Sequence, residues 1–255
     1  MSALDDITSI VLEKLDENSN GLRWADLYSM IRTKYPNMKN GTIVGGLRNF
    51  YNKNTSSVYK PDKGLYRLIK YQDSNSQIIS TTGLQNNVSN VQISSIKEED
   101  FYESFAAWLV NDREECTKAK ELGGNIFGGK WGTPDVIGVS KSLPTDIIEK
   151  DIEITSVEIK FSQSDLITAF GQACSYKLFS HKVYLVIPQQ SSDEEKSRLD
   201  SLCFLFGIGL VFFDNTDPNV PKYQLKNRAQ KGEPDIYYLN KNIDKAKSLF
   251  NDLLS

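Results

Sequence analysis

The chain has 255 residues, 39% of them hydrophobic and 25% charged, enough for one large domain or two modest ones and too apolar for wholesale disorder. No apolar run approaches the ~20 residues of a membrane span, and the opening MSALDDITSI lacks the basic-then-apolar pattern of a secretory signal. Three widely spaced cysteines (Cys116, Cys174, Cys203) and a single histidine (His181) exclude a disulfide framework, a cysteine-based zinc cluster and a His-rich metal site, so a soluble cytoplasmic protein is expected.

The net charge of −3 conceals an asymmetry. Residues 1–70 hold 11 Lys and Arg against 7 Asp and Glu, a net of +4, whereas the other 185 hold 19 against 26, a net of −7. A small basic module joined to a larger acidic one suggests a phosphate-backbone partner for the first.

The basic module, residues 1–71, carries three helical signals and a hairpin signal. Leu4, Ile7, Val11, Leu12 and Leu15 recur at helical spacing as far as Asn18-Ser19-Asn20-Gly21. A second helix is predicted from Trp24, with Leu27, Tyr28 and Ile31 on one face, ending before Pro36. The third starts near Asn40-Gly41-Thr42, with Ile43, Val44, Leu47, Phe50 and Tyr51 facing inward. In SSVYKPDKGLYRLIKY, two short β-type runs flank a Pro-Asp-Lys-Gly turn. Three short helices and a two-stranded wing resemble a winged helix-turn-helix, whose third helix enters the major groove while the wing touches the backbone. Outward on that helix are Gly45, Arg48, Asn49, Asn52 and Lys53, and Arg and Asn are the residue types that read guanine and adenine. Lys60, Lys63 and Arg67 on the wing would contact phosphates. Winged helices also serve as protein-docking modules, and the residue types here favour double-stranded DNA. Gly45-Gly46 weakens the helix by roughly 1 kcal/mol per glycine relative to alanine.

Residues 72–97, rich in Ser, Asn, Gln and Thr with one acid and one base, read as a flexible linker. The second module, residues 98–255, opens with EEDFYESFAAWLVND, a helix with Phe101, Phe105, Trp108 and Leu109 on one face. Glycines and Trp131 then precede a β-rich run, and a Pro-containing loop leads to a second, DIEITSVEIKFS. A helix over 164–179, the strand KVYLVIP, a helix near 192–206 and the strand GLVFFD follow. This order predicts an α/β fold with a mixed sheet flanked by helices.

Pro134-Asp135 falls on one of these strands and Glu158-Ile159-Lys160 on the next. Side chains two apart on a strand share a face, so Glu158 and Lys160 point one way while Val157, Ile159 and Phe161 point the other. The pattern resembles the motif of the PD-(D/E)XK nucleases, the restriction-endonuclease-like superfamily. Gln172 and Tyr176, four apart on the following helix, match the Q-x-x-x-Y element of its Mrr-like and RecB-like members. Glu103 matches an additional acid that many members place on the preceding helix. A second pair, Pro234-Asp235, has no following acid-x-Lys strand and is read as a decoy. The resemblance covers about residues 100–215. Four segments (FYESFAAWL, GGKWGTPDVIGV, VEIKFSQSDLITAFGQACSYKLFSHKVYLVIP and GIGLVFFD), with the linker and first module, also resemble bacterial winged-helix proteins of ill-defined role found near restriction-modification genes.

The resemblance implies phosphodiester hydrolysis. Asp135 and Glu158 would bind Mg²⁺ (with Mn²⁺ as a substitute), the Ile159 carbonyl supplying a third oxygen. Lys160 would orient the attacking water and offset charge at the phosphate. Gln172 and Tyr176 would orient Lys160 or the scissile phosphate, and Glu103 would support the metal shell. Each position also has a plainer reading: a turn after Pro134, an exposed-strand Glu-x-Lys pair, helix packing, or a helix-start acid favoured by the dipole. Cys174 and Cys203 read as small core residues, His181 as solvent-facing or capping, and Ser192 as a helix cap. Two functions stand: a Mg²⁺-dependent DNA endonuclease of restriction or defence type, in which duplex cleavage favours a homodimer, and a non-catalytic DNA-binding regulator on the same scaffold.

Overall fold

The structure, a computed structural model, describes residues 3–72, 96–128, 132–144 and 146–255, so the predicted linker (but for its ends) and Trp131 lie outside the described residues. It divides into two units, Met1–Ile96 and Lys97–Ser255.

In the first unit, α1 (Ala3–Glu17), β1 (Leu22–Arg23), α2 (Trp24–Lys34) and α3 (Asn40–Lys53) precede the hairpin β2 (Val58–Asp62) and β3 (Leu65–Leu68). The small antiparallel sheet has the order β1-β3-β2. Ile7, Val11 and Leu15 of α1 are buried with Leu27, Ile31, Ile43, Leu47 and Phe50, the apolar stripes that helical spacing demands. The helices cross closely: a Cβ on Gly46 would come 2.5 Å from Ile7 Cδ1. Arg32 is buried and donates to the carbonyls of Pro36 (3.1 Å) and Met38 and to Asn40 Oδ1, tying down the α2–α3 turn. The hairpin is tighter than the Pro-Asp-Lys-Gly reading. Pro61 and Asp62 belong to β2, an edge strand where a missing N–H is harmless, and Lys63 and Gly64 alone turn the chain.

In the second unit, a 3-10 turn (Glu98–Phe101) leads into α4 (Tyr102–Asn111). Then come β4 (Lys118–Glu121), β5 (Val136–Ser140), β6 (Glu153–Ile159), α5 (Leu166–Tyr176), β7 (Lys182–Pro188), α6 (Asp193–Phe206), β8 (Gly209–Phe213), β9 (Tyr223–Asn227), α7 (Ile236–Lys245) and α8 (Lys247–Leu254). The strands form one mixed sheet, β4-β5-β6-β7-β8-β9, in which β6, β7 and β8 run parallel and the other pairings are antiparallel. The α/β expectation holds at this level. Edge strands β4 and β9 and helices α7 and α8 were not among the predicted elements; KAKE and YQLKN are polar, as edges tend to be.

The reading of Glu158 and Lys160 as an exposed-strand pair does not hold for Glu158 on β6. Both faces are covered, as is usual where strands run parallel between helices. On one side Leu166, Ala169, Ala173 and Tyr176 of α5 pack with Ile154, Val183, Leu185 and Leu210. On the other, Phe101 stacks near Phe161 and meets Phe213 edge-on, with ring centroids 5.9 and 5.0 Å apart. Glu158 therefore sits inside rather than on an open surface, 2% exposed.

Three smaller features follow their local chemistry. Asp235 of the second Pro-Asp pair caps α7, accepting from the Tyr237 N–H at 2.9 Å. Ser192 caps α6 through the Glu195 N–H at 3.2 Å. His181 is buried rather than solvent-facing, and its Nδ1 accepts from the Ile154 N–H at 3.0 Å. Cys203 is buried as expected, whereas Cys174 is half-buried.

Candidate active site

The antiparallel register sets Val136 of β5 opposite Val157 of β6, so the residues just beyond them, Asp135 and Glu158, arrive together at one end of the sheet. Asp135 precedes β5 rather than lying on it, and its Oδ2 accepts the Ile159 N–H at 2.7 Å. From α5, the Tyr176 hydroxyl donates to Glu158 Oε2 at 2.7 Å and also faces the Thr133 carbonyl at 3.1 Å. Lys160 Nζ lies 3.3 Å from Glu158 Oε1. Gly132 allows this closeness: its φ is +80°, and a Cβ there would come 3.0 Å from the Tyr176 hydroxyl and 3.3 Å from Gln172 Nε2.

Asp135, Glu158, Lys160 and Tyr176 are thus brought together, and Gln172 borders them through Gly132. Glu103 is exposed, and the acid that reaches the cluster from this segment is Glu98. Its Oε1 is 3.6 Å from Lys160 Nζ, and its Oε2 accepts the Phe161 N–H at 2.9 Å. Tyr102, 8% exposed, has its hydroxyl within hydrogen-bonding reach of both Asp135 and Glu98 (3.4 Å) and can donate its one proton to either. Neither Glu98 nor Tyr102 was singled out from sequence. Their signal was the four-residue spacing in EEDFY, which puts an acid and a phenol on one helical face.

Burial raises the Asp135 carboxyl to about 7, with the nearby Glu158 charge adding to the effect against the Tyr102 and Ile159 hydrogen bonds. Burial likewise raises Glu158, opposed by Tyr176 and Lys160. Burial alone would lower Lys160, yet the charges of Glu158 and Glu98 prevail and hold it above its ordinary value, so it is a lasting cation and no general base. Tyr102 and Tyr176 are raised by burial and then by the neighbouring carboxylates, so both stay neutral and donate hydrogen bonds.

Two carboxylates that burial and neighbouring acids press toward protonation form an oxygen donor set suited to a hard divalent cation. Among the described residues no group of three or more His, Cys, Asp or Glu side chains could hold a metal ion. A cation beside Asp135 and Glu158 would therefore draw its remaining ligands from backbone carbonyls and water.

In the first unit, Arg48, Asn49, Asn52 and Lys53 are exposed on α3, whereas Gly46 on the opposite face is buried. Lys60 lies over the rings of Tyr51 and Tyr66, 4.9 and 5.0 Å from their centroids, and Lys63 is exposed. Arg67 is engaged internally: its Nε donates to the Ser19 carbonyl at 2.6 Å, bracing the loop after α1.

No helix among the described residues is long and apolar enough to cross a membrane. Comparison of the chain with models of known protein families, with curated proteins and with solved structures returned no match.

Proposed function

We propose that the chain is a metal-dependent DNA endonuclease with a restriction-endonuclease-like second unit, whose winged-helix first unit holds duplex DNA. The observation that carries this reading is the convergence of Asp135, Glu158 and Lys160 at the end of β6, with both carboxylates buried beside one another. Confining two acids in this way costs the fold, and a divalent cation bound between them would offset that cost.

Asp135 and Glu158 would hold Mg²⁺ or Mn²⁺, with the Ile159 carbonyl as a further oxygen. Bound there, the ion supplies Lewis acidity toward a phosphoryl oxygen and acidifies a water molecule. Tyr176 and the Ile159 N–H each hold one carboxylate oxygen and fix the two groups in place. Lys160, kept charged by Glu158 and Glu98, offsets the negative charge growing on the phosphate and orients the water. Gln172, beside Gly132, would hold a phosphate oxygen. On α3, Arg48, Asn49, Asn52 and Lys53 would face the major groove.

The test incubates the protein with duplex DNA, plain and base-modified, in Mg²⁺ or Mn²⁺, beside Glu158→Gln. Cleavage by the wild type and at least about 100-fold less by the variant is expected; equal cleavage by both removes the assignment. A second reading, a non-catalytic DNA-binding regulator on the same scaffold, draws support from the lack of a third ligand side chain among the described residues and from the Lys160–Glu158 pair. It expects binding indifferent to divalent ions and no cutting of any substrate.

A further inference from the structure

The C-terminal part of the second unit departs from the rest of it in charge. Residues 222–247 carry 7 Lys and Arg against 3 Asp and Glu, whereas the remainder of residues 97–255 carries 12 against 22. Within this stretch α7 buries Leu239 but leaves Ile236, Tyr237 and Tyr238 62%, 66% and 42% exposed. The two phenol rings meet edge to face with centroids 5.2 Å apart, and Lys241 Nζ lies 5.8 Å from the Tyr237 centroid. Rings turned outward in a cluster serve a partner more often than a core.

Tyr237, Lys241 and Lys245 recur at four-residue steps and so share one helix face. Lys245 Nζ donates to the Phe127 carbonyl. The Phe127 N–H donates to Thr133 Oγ1 at 3.1 Å, and the Thr133 carbonyl faces the same Tyr176 hydroxyl that holds Glu158. This stripe leads from solvent to the loop that delivers Asp135. We infer that it is a track for an unpaired nucleic-acid strand running into the site, with the tyrosines stacking on bases, Lys241 meeting phosphate and Lys245 tying the helix to the loop. The inference rests on the nuclease reading and narrows its substrate to DNA with a single-stranded segment beside the scissile bond. A duplex presents no free base faces to a ring, whereas an unpaired strand does. Lys226, Arg228 and Lys231 pair with Asp200, Glu115 and Glu153, and Lys245 is held by the Phe127 carbonyl, so Lys241, exposed beside Tyr237, is the lysine of this face turned toward phosphate. Glu233, Asp235 and Asp244 are exposed nearby and oppose that attraction.

The test uses the full chain in chelator, with a fluorescein-labelled oligo(dT) of about 20 nucleotides and a matched duplex, read by fluorescence anisotropy. The double substitution Tyr237→Ala/Tyr238→Ala should weaken oligo(dT) binding by at least about fivefold per stacked base. It should leave the duplex and the melting curve unchanged, and Tyr237→Phe/Tyr238→Phe should restore binding. Arg48→Ala should do the reverse, weakening duplex and sparing oligo(dT). Equal oligo(dT) affinity for wild type and the alanine pair overturns the track, as does ring-dependent binding to phosphatidylserine vesicles without oligo(dT) binding. If Glu158→Gln abolishes cleavage while strand binding ignores the tyrosines, the track alone falls. If nothing is cleaved yet strand binding needs the tyrosines, the nuclease reading falls and the strand-binding face stands.

Discussion

The outward face of α3 and the end of β6 hold polar side chains under opposite conditions. Arg48, Asn49, Asn52 and Lys53 stand in water, where ionised or amide groups cost the fold little. Asp135 and Glu158 are 8% and 2% exposed, and each is already hydrogen-bonded within the protein. The difference teaches where stability and function compete. On α3 they are nearly independent, whereas at the end of β6 the groups proposed for chemistry are the ones that burial disfavours.

The largest expected effect probes that competition. With a folded value raised to about 7, Asp135 binds its proton more tightly in the folded protein than in the unfolded chain. Its contribution to stability is complete below the ordinary carboxylate value near 4 and is lost as pH rises through about 7. Glu158 acts in the same sense. Metal-free protein at pH 8 should therefore be less stable than Asp135→Asn, by a free energy on the order of a few kcal/mol, and should melt at lower temperature, while the variant loses DNA cleavage. His181, lowered by burial, works in the opposite direction as pH falls through its ordinary range, so the comparison with the variant carries the result. Identical melting of the two proteins from pH 5 to 8 would break the contrast.

Next comes the pair of adjacent glycines on α3. A Cβ on Gly46 meets Ile7 at 2.5 Å, so Gly46→Ala should destabilise by about 1–3 kcal/mol through overpacking. The effect of Glu98→Gln should be somewhat smaller, cleavage falling about tenfold as Lys160 loses a charged neighbour. Glu103→Gln should stay within about twofold of wild type; equal losses at the two positions would restore Glu103 to the site. The smallest effect has the opposite sign. Nothing lies within 4 Å of a Cβ on Gly45, so Gly45→Ala should raise stability by about 0.5–1 kcal/mol in denaturant melts. A loss of stability there would mean that the face is less open than its exposure implies.

Legibility differed along the chain. The stripes of α1, α2 and α3 could be read from spacing because a buried helix face needs apolar residues at every turn. Glu158 and Lys160 could be read from the period of two along β6. Arg67 could not, since only the path of the chain brings Ser19 within its reach. Edge strands β4 and β9 are short and polar, and their pairing with β5 and β8 is what makes them strands.

Residue order alone settled which side chains share a helix or strand face, because those periods are properties of the backbone. It also settled the polarity of each half of the chain. Tertiary structure decided which acid meets Lys160, for Glu98 and Glu103 differ in sequence by five positions but in space by the side of the helix they leave. It decided too that Asp135 and Glu158 are buried, since desolvation depends on what packs above a strand, and no pattern along β6 records the arrival of α5.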